Sequence, residues 1–175
     1  MLDRPTQPMT SLANASPATR FILRGADAVA AASAAFGVAL PTTPLRAATT
    51  ATRTAFWLGP DEWLLIASDV ETAALQQTLE TALAGVPHAL VDISNRQTAL
   101  LIEGPGAATA INAGTPLDLS LAAFPVGMVA RTIFEKAEIV LWRTAEQSFR
   151  IEVWRSFAPY VQALLEAALS DDRAA

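Results

Sequence analysis

Apolar residues in this chain fall into short runs broken by Gly and Pro, with two stretches where they recur at helical spacing. Residues 21–24 (Phe-Ile-Leu-Arg) read as a strand ending at Gly25, and Asp27 opens an Ala-rich helix to Phe36, with Gly37 as its C-cap. Pro41 and Pro44 keep the next stretch extended. Residues 49–58 read as a strand, Gly59-Pro60-Asp61-Glu62 as a turn, and residues 63–67 as the partner strand of a hairpin. Asp69 then caps a helix whose Leu75, Leu79 and Leu83 form one apolar stripe. Beyond Gly85 and Pro87 come strands 88–93 and 98–103, the turn Gly104-Pro105-Gly106, a small-residue helix to Ala113, and a connection over 116–125. Strands 128–134, 138–142 and 149–154 follow. Ser156 caps a last helix with Val161, Leu164, Leu165 and Ala168 on one side.

The two halves share an order: strand, glycine, Ala-rich helix, hairpin, amphipathic helix. The implied repeat is a β-α-β-β-α unit, with Trp57 matching Trp142 and Leu64/Ile66 matching Ile151/Val153 as inward residues. The expected class is α+β, an antiparallel sheet with helices packed on one side. Residues 1–16 read as a loose arm, 17–170 as one compact domain of halves 17–86 and 87–170, and 171–175 as a frayed tail.

Composition narrows the function classes. The hydrophobic fraction is 52%, but 37 of 175 residues are Ala, so the larger apolar side chains are an ordinary globular share. A net charge of −5, spread over both halves, argues against nucleic acid as a partner. Cys is absent, which excludes disulfides and thiolate chemistry. No stretch reads as a membrane span or a signal peptide, so a soluble cytoplasmic protein is expected.

Candidate chemistry is sparse. His88, Asp92 and Ser94 share a parity, yet His88 and Asp92 would stand ~13 Å apart along a strand, too far for a base and its orienter. One His and no Cys leave no conventional zinc site. Gly104-Pro105-Gly106 resembles the start of a dinucleotide loop, but Thr109 stands at the third glycine and a hairpin surrounds it, so a plain turn is favoured. Asp61 and Glu62, on a hairpin tip, read as solvated charge. No catalytic or metal-binding residue is assigned. What remains is four Trp on predicted strands, and Arg131, Arg143, Arg150 and Arg155 in the C-terminal strands. Aromatic and Arg groups are the usual anchors of protein interfaces. Trp63, Arg150 and Trp154, opposite in parity to the inward residues, are therefore the candidate partner contacts.

The stretch Val91-Asp92-Ile93-Ser94-Asn95-Arg96, then Leu101-Ile102-Glu103-Gly104-Pro105-Gly106-Ala107 and Gly114-Thr115-Pro116-Leu117-Asp118-Leu119, resembles the gamma subunit of heterotetrameric sarcosine oxidase. The likeness continues through Phe124-Pro125-Val126-Gly127, Arg131-Thr132, Leu141-Trp142-Arg143 and Arg155-Ser156-Phe157-Ala158-Pro159-Tyr160-Val161, and earlier through residues 57–65. Asp92-Ile93-Ser94 followed by Gly104-Pro105-Gly106-Ala107 is also distantly similar to the aminomethyltransferase of the glycine cleavage system. The resemblance implies a non-catalytic subunit of a complex that converts sarcosine to glycine, with hydrogen peroxide and a one-carbon unit on tetrahydrofolate. It implies alpha, beta and delta partners, with FAD, FMN and NAD carried by the larger subunits and this chain docked on alpha. The competing class is a folate-binding module in which Asp92, Arg131 and Arg143 meet the pterin and the glutamate tail.

Overall fold

The structure is a computed structural model that describes residues 9–174. Ten strands form two five-stranded antiparallel sheets. The first holds β3 (Ala47–Thr49), β4 (Thr54–Gly59), β5 (Glu62–Ser68), β2 (Ala18–Arg24) and β6 (Ala89–Asp92), in that order. The second holds β1 (Ser11–Asn14), β7 (Gln97–Glu103), β10 (Ser148–Trp154), β9 (Ala137–Ala145) and β8 (Val129–Phe134). Helices α1 (Val29–Phe36) and α2 (Thr72–Ala82) follow β2 and β5, while α3 (Ala107–Asn112) and α4 (Ala158–Ala174) follow β7 and β10.

Three apolar cores show how these pieces stack. Phe21, Leu23, Trp63 and Leu65 pack with Phe36, Leu75 and Leu79 of α1 and α2. Leu100, Ile102, Phe149 and Ile151 pack with Ile111, Val161 and Leu165 of α3 and α4. The third core, Phe56, Leu64, Ile66, Val129 and Val140, joins the sheets face to face. The α+β class and the two related halves agree with the sequence pattern. The expected sheet is divided in two, each with its helices on the outer side.

The halves exchange their leading strands. β1 precedes β2 in the chain but pairs with β7 of the other half, and β6 precedes β7 but pairs with β2. Part of the expected loose arm is thus a strand: Ser11–Asn14 lies along Glu103 to Leu100, and Ala15 N–H donates to Ala99 O. Residues 1–8 of that arm and residue 175 of the tail lie outside the described residues. Helix α4 continues through Ala174 where a frayed tail is expected. The expected strand 49–58 is also two strands, β3 and β4, folded on each other with Thr49 opposite Thr54.

One pair of glycines makes the exchange possible. Gly25 and Gly104 end β2 and β7 with φ of 128° and 123°, a region open to residues without a Cβ. A Cβ on Gly25 would stand 2.8 Å from Pro87 O, just before β6; on Gly104 it would stand 2.6 Å from Thr10 Cα, just before β1. Each glycine leaves room for the strand arriving from the other half. Gly104→Ala should therefore lower stability by about 3 kcal/mol, or roughly 6–12 °C in melting temperature. Gly85→Ala, also at positive φ but with nothing within 4 Å of the new methyl, should cost only about 1 kcal/mol. Equal losses in a thermal melt would show that strain, not the close approach of Thr10, sets the requirement.

Candidate functional site

Alternation along β10 sends Phe149, Ile151 and Val153 toward the helices and Arg150, Glu152 and Trp154 to the opposite face. That face is covered by the first sheet. Glu152 is fully inaccessible and Arg20, on β2 of the first sheet, is 2% exposed. Arg20 Nε donates to Glu152 Oε2 at 2.6 Å, and Arg20 Nη1 donates to Ala18 O at 3.0 Å. Arg150, two residues from Glu152 on the same strand face, donates through Nε to Oε1 at 2.8 Å, with Nη2 at 2.7 Å. Two guanidinium groups share one carboxylate across the sheets. A buried charge needs such partners, because its water is gone.

Two clefts open beside this network, on either side of the link between β1 and β2. One, about 330 Å³, is lined by Arg20, Asp69, Asp92, Ser94, Gln97 and Arg155 among others. Gln97 Oε1 is buried there without a hydrogen-bond partner among the described residues. The other, about 560 Å³, is lined by Thr49, Thr54, Ile66, Leu101, Trp142 and Arg150 among others. Trp142 packs on Phe56 with ring centroids 5.2 Å apart.

The candidate residues separate. Trp63 is not a surface anchor: it is 2% exposed in the core under α1 and α2, and its Nε1 donates to Pro41 O at 2.8 Å. It shares parity with Leu65, while Leu64 and Ile66 face the other sheet, so the match of Leu64/Ile66 to Ile151/Val153 is displaced by one residue. The structural equivalents are Leu65 and Ala67. By the same shift Phe56, not Trp57, corresponds to Trp142. Arg150 lies in the network just described. Trp154 alone of the three is at the surface, 39% exposed, with the Arg96 guanidinium 5.1 Å from its ring centroid.

Asp92, Arg131 and Arg143 do not converge. Asp92 lines the smaller cleft and accepts from Ser94 N and Oγ. Arg131 reaches across to Glu62 Oε1 at 2.5 Å, and Arg24 donates to Glu62 Oε2 at 2.8 Å. Glu62 is thus held by two arginines, not left as solvated charge. Arg143 is buried over the Phe149 ring and donates through Nη2 to Leu119 O at 2.5 Å. Burial lowers its pKa from the ordinary arginine value, partly offset by the Glu146 carboxylate, and the group stays charged. His88 Nδ1 lies 2.7 Å from Val86 O, away from Asp92. Among the described residues no three His, Cys, Asp or Glu side chains gather as a metal site.

The turn Gly104-Pro105-Gly106 does not fit a nucleotide phosphate. Thr10 fills the space above it, and Thr10 Oγ1 accepts the Gly106 N–H at 2.8 Å. The donor that a phosphate would use is already engaged.

Sequence reasoning missed Arg20 and the burial of Glu152. A charge between Ile151 and Val153, on a strand paired on both sides, is the signal that was present for Glu152; Arg20 offered none. It also missed Phe157 and Tyr160, which are 39% and 38% exposed and follow Trp154 at three-residue steps. Glu152→Gln would leave the buried Arg20 and the part-buried Arg150 without a counter-charge, a loss of about 3 kcal/mol. Glu71→Gln, which breaks the half-exposed pair with Arg53, should cost about 1 kcal/mol or less. Urea unfolding of both variants checks the contrast, and a small loss at Glu152 would contradict the role given to the network.

The sequence pattern of the "Sarcosine oxidase, gamma subunit family" matches residues 24–171. The sarcosine oxidase subunit gamma of Corynebacterium sp. strain U-96 is 39% identical over 152 residues, covering 86% of this chain and 73% of that one. A chain of the heterotetrameric sarcosine oxidase from Corynebacterium sp. U-96, solved with pyrrole 2-carboxylate, superposes with a TM-score of 0.86 at 35% identity, over 93% of this chain and 84% of that one. The glycine cleavage system aminomethyltransferase T of Bartonella henselae superposes with a TM-score of 0.70 at 16% identity, over 91% of this chain and 46% of that one. That last likeness is one of fold.

Proposed function

The chain belongs to the sarcosine oxidase gamma subunit family, and from that premise we propose that it is the gamma subunit of a heterotetrameric sarcosine oxidase. In this reading it docks on the alpha subunit, beside beta and delta, and contributes surface to the complex while the reacting groups belong to its partners. The complex would oxidise sarcosine with dioxygen to glycine and hydrogen peroxide, passing the methyl carbon to tetrahydrofolate. FAD, FMN and NAD are placed in the partner chains, a placement supported by the Thr10-filled turn, the loop in this sequence that most resembles a dinucleotide cradle. Among the described residues no helix is long and apolar enough to cross a membrane, and a cytoplasmic location is part of the same proposal.

The observation that carries the docking role is the aromatic run at the end of β10. Trp154, Phe157 and Tyr160 are each more than a third exposed, and they lie apart from the apolar stripe Val161, Leu165 and Leu169 that holds α4 on its sheet. Packing within the chain does not account for three exposed aromatic rings so close in sequence; a partner surface does. The folate-binding alternative draws no support from the geometry, since Asp92, Arg131 and Arg143 are committed to separate partners. Titration of the free chain with tetrahydrofolate should accordingly show no saturable binding, and the purified chain should carry no flavin absorbance.

Trp154→Ala should weaken recovery of the chain with the alpha subunit by about 30-fold, the usual loss of an interface anchor worth about 2 kcal/mol. Its melting temperature should barely move, because an exposed cation–π contact with Arg96 is worth about 0.5–1 kcal/mol. Co-purification of coexpressed subunits, read beside a thermal melt of the free chain, measures both. Intact assembly in this variant would remove Trp154 from the interface.

A further inference from the structure

The larger cleft between the sheets has a charge character at odds with the rest of the chain. Arg53 and Arg150 are the charged side chains that line it, and no carboxylate does, in a chain whose net charge is −5. Arg53 is held by Glu71, with Nη2 to Oε2 at 2.7 Å. Arg150 is different. It shares the buried Glu152 with Arg20, so this cluster of two cations and one carboxylate keeps one positive charge over, and Arg150 is its part-exposed member. Arg150 uses Nε and Nη2 on Glu152, and its Nη1 has no acceptor among the described residues.

The neighbours of Arg150 are fixed by strand register. Leu101 of β7 and Trp142 of β9 flank it directly across the second sheet. Thr49, Thr54 and Ile66 form the matching row across the first sheet. The indole N–H of Trp142 is buried and lacks a hydrogen-bond acceptor among the described residues. At about 560 Å³ the cleft falls in the size range of small-molecule sites. It therefore combines a surplus cation, threonine hydroxyls and an apolar wall made by Leu101, Ile66 and the Trp142 ring.

We infer that this cleft binds a small organic monocarboxylate, with the carboxylate on Arg150 and the apolar body along Leu101, Ile66 and Trp142. A monoanion matches the single surplus charge. A phosphate dianion would carry one charge too many and would find little use for the apolar wall. The inference concerns the chain by itself and does not rest on its assembly, so its failure leaves the subunit reading intact.

The test is titration of the full chain with benzoate, followed by calorimetry and by the ¹⁵N–¹H signals of the four tryptophan indoles, with Trp142 assigned from Trp142→Phe. Saturable binding that moves the Trp142 indole signal is expected, and benzylamine, matched in size but cationic, should leave it unmoved. Arg150→Gln should weaken benzoate by about 10-fold or more, as loss of a charged hydrogen bond does, while Arg150→Lys should retain part of the affinity. If Arg150→Gln does not fold, the Lys variant and the benzylamine comparison carry the decision. A titration without saturation, equal response to benzylamine, inorganic phosphate binding in place of benzoate, or full affinity in a folded Arg150→Gln would each overturn the inference.

Discussion

A carboxylate with no access to water has to find its counter-charge inside the protein, and Glu152 finds part of it on the other sheet. Its bond to Arg20 runs from β10 to β2, so the carboxylate can stay buried only while the two sheets remain stacked with Arg20 in place. The rest of the architecture is consistent with that demand. Each sheet is completed by a strand from the other half, the third apolar core lies between the sheets, and Arg131 reaches from β8 to Glu62 on β5. The two sheets are interleaved, not merely adjacent.

The pseudo-symmetry of the halves makes the polar network easier to understand. Pairing the hairpins by their buried parity sets Leu64 against Arg150 and Ile66 against Glu152, an offset of 86 residues. The first half presents aliphatic side chains where the second presents a cation and a carboxylate. Arg20 in turn occupies the place of Ala99, at the offset of 79 that relates Gly25 to Gly104. Phe56 and Trp142, which are equivalent, meet at the centre of the intersheet layer. Apolar contact fills the intersheet layer, and the charge network lies beside it. The two clefts open next to that network.

How far the sequence could reveal this depends on whether each signal was local. The stripe Leu75, Leu79, Leu83 identified α2 because helical period is read within one segment, and all three are buried. Gly37 as the C-cap of α1 was legible for the same reason, and the structure gives it a left-handed conformation. The parity of β5 was not. Its burial runs unbroken from Glu62 through Ala67, and a strand covered on both faces offers no alternation by which to tell the side of Trp63. The exchange of β1 and β6 is a pairing between distant segments, invisible to any window along the chain. Arg131 and Arg143 could be noticed as arginines, but their partners, Glu62 and the Leu119 carbonyl, come from elements far away in sequence. The family, by contrast, was legible from short runs such as Asp92-Ile93-Ser94 and Gly104-Pro105-Gly106.

Strand β10 concentrates these roles in seven residues. Its odd positions hold α3 and α4 to the sheet, its even positions carry the charge network, and Trp154 marks the point where it leaves the sheet. Trp154 is opposite Gln97 in the ladder, and the next residue, Arg155, donates its N–H to Arg96 O at 2.8 Å. The Arg96 side chain lies over the exposed ring. An aromatic group held this way loses little freedom when a partner covers it, which is the condition under which exposed area becomes binding energy. Phe157 and Tyr160, also exposed, follow in the turn and the first helical residues. The buried charge that ties β10 to the first sheet thus lies two residues from the exposed ring at its end.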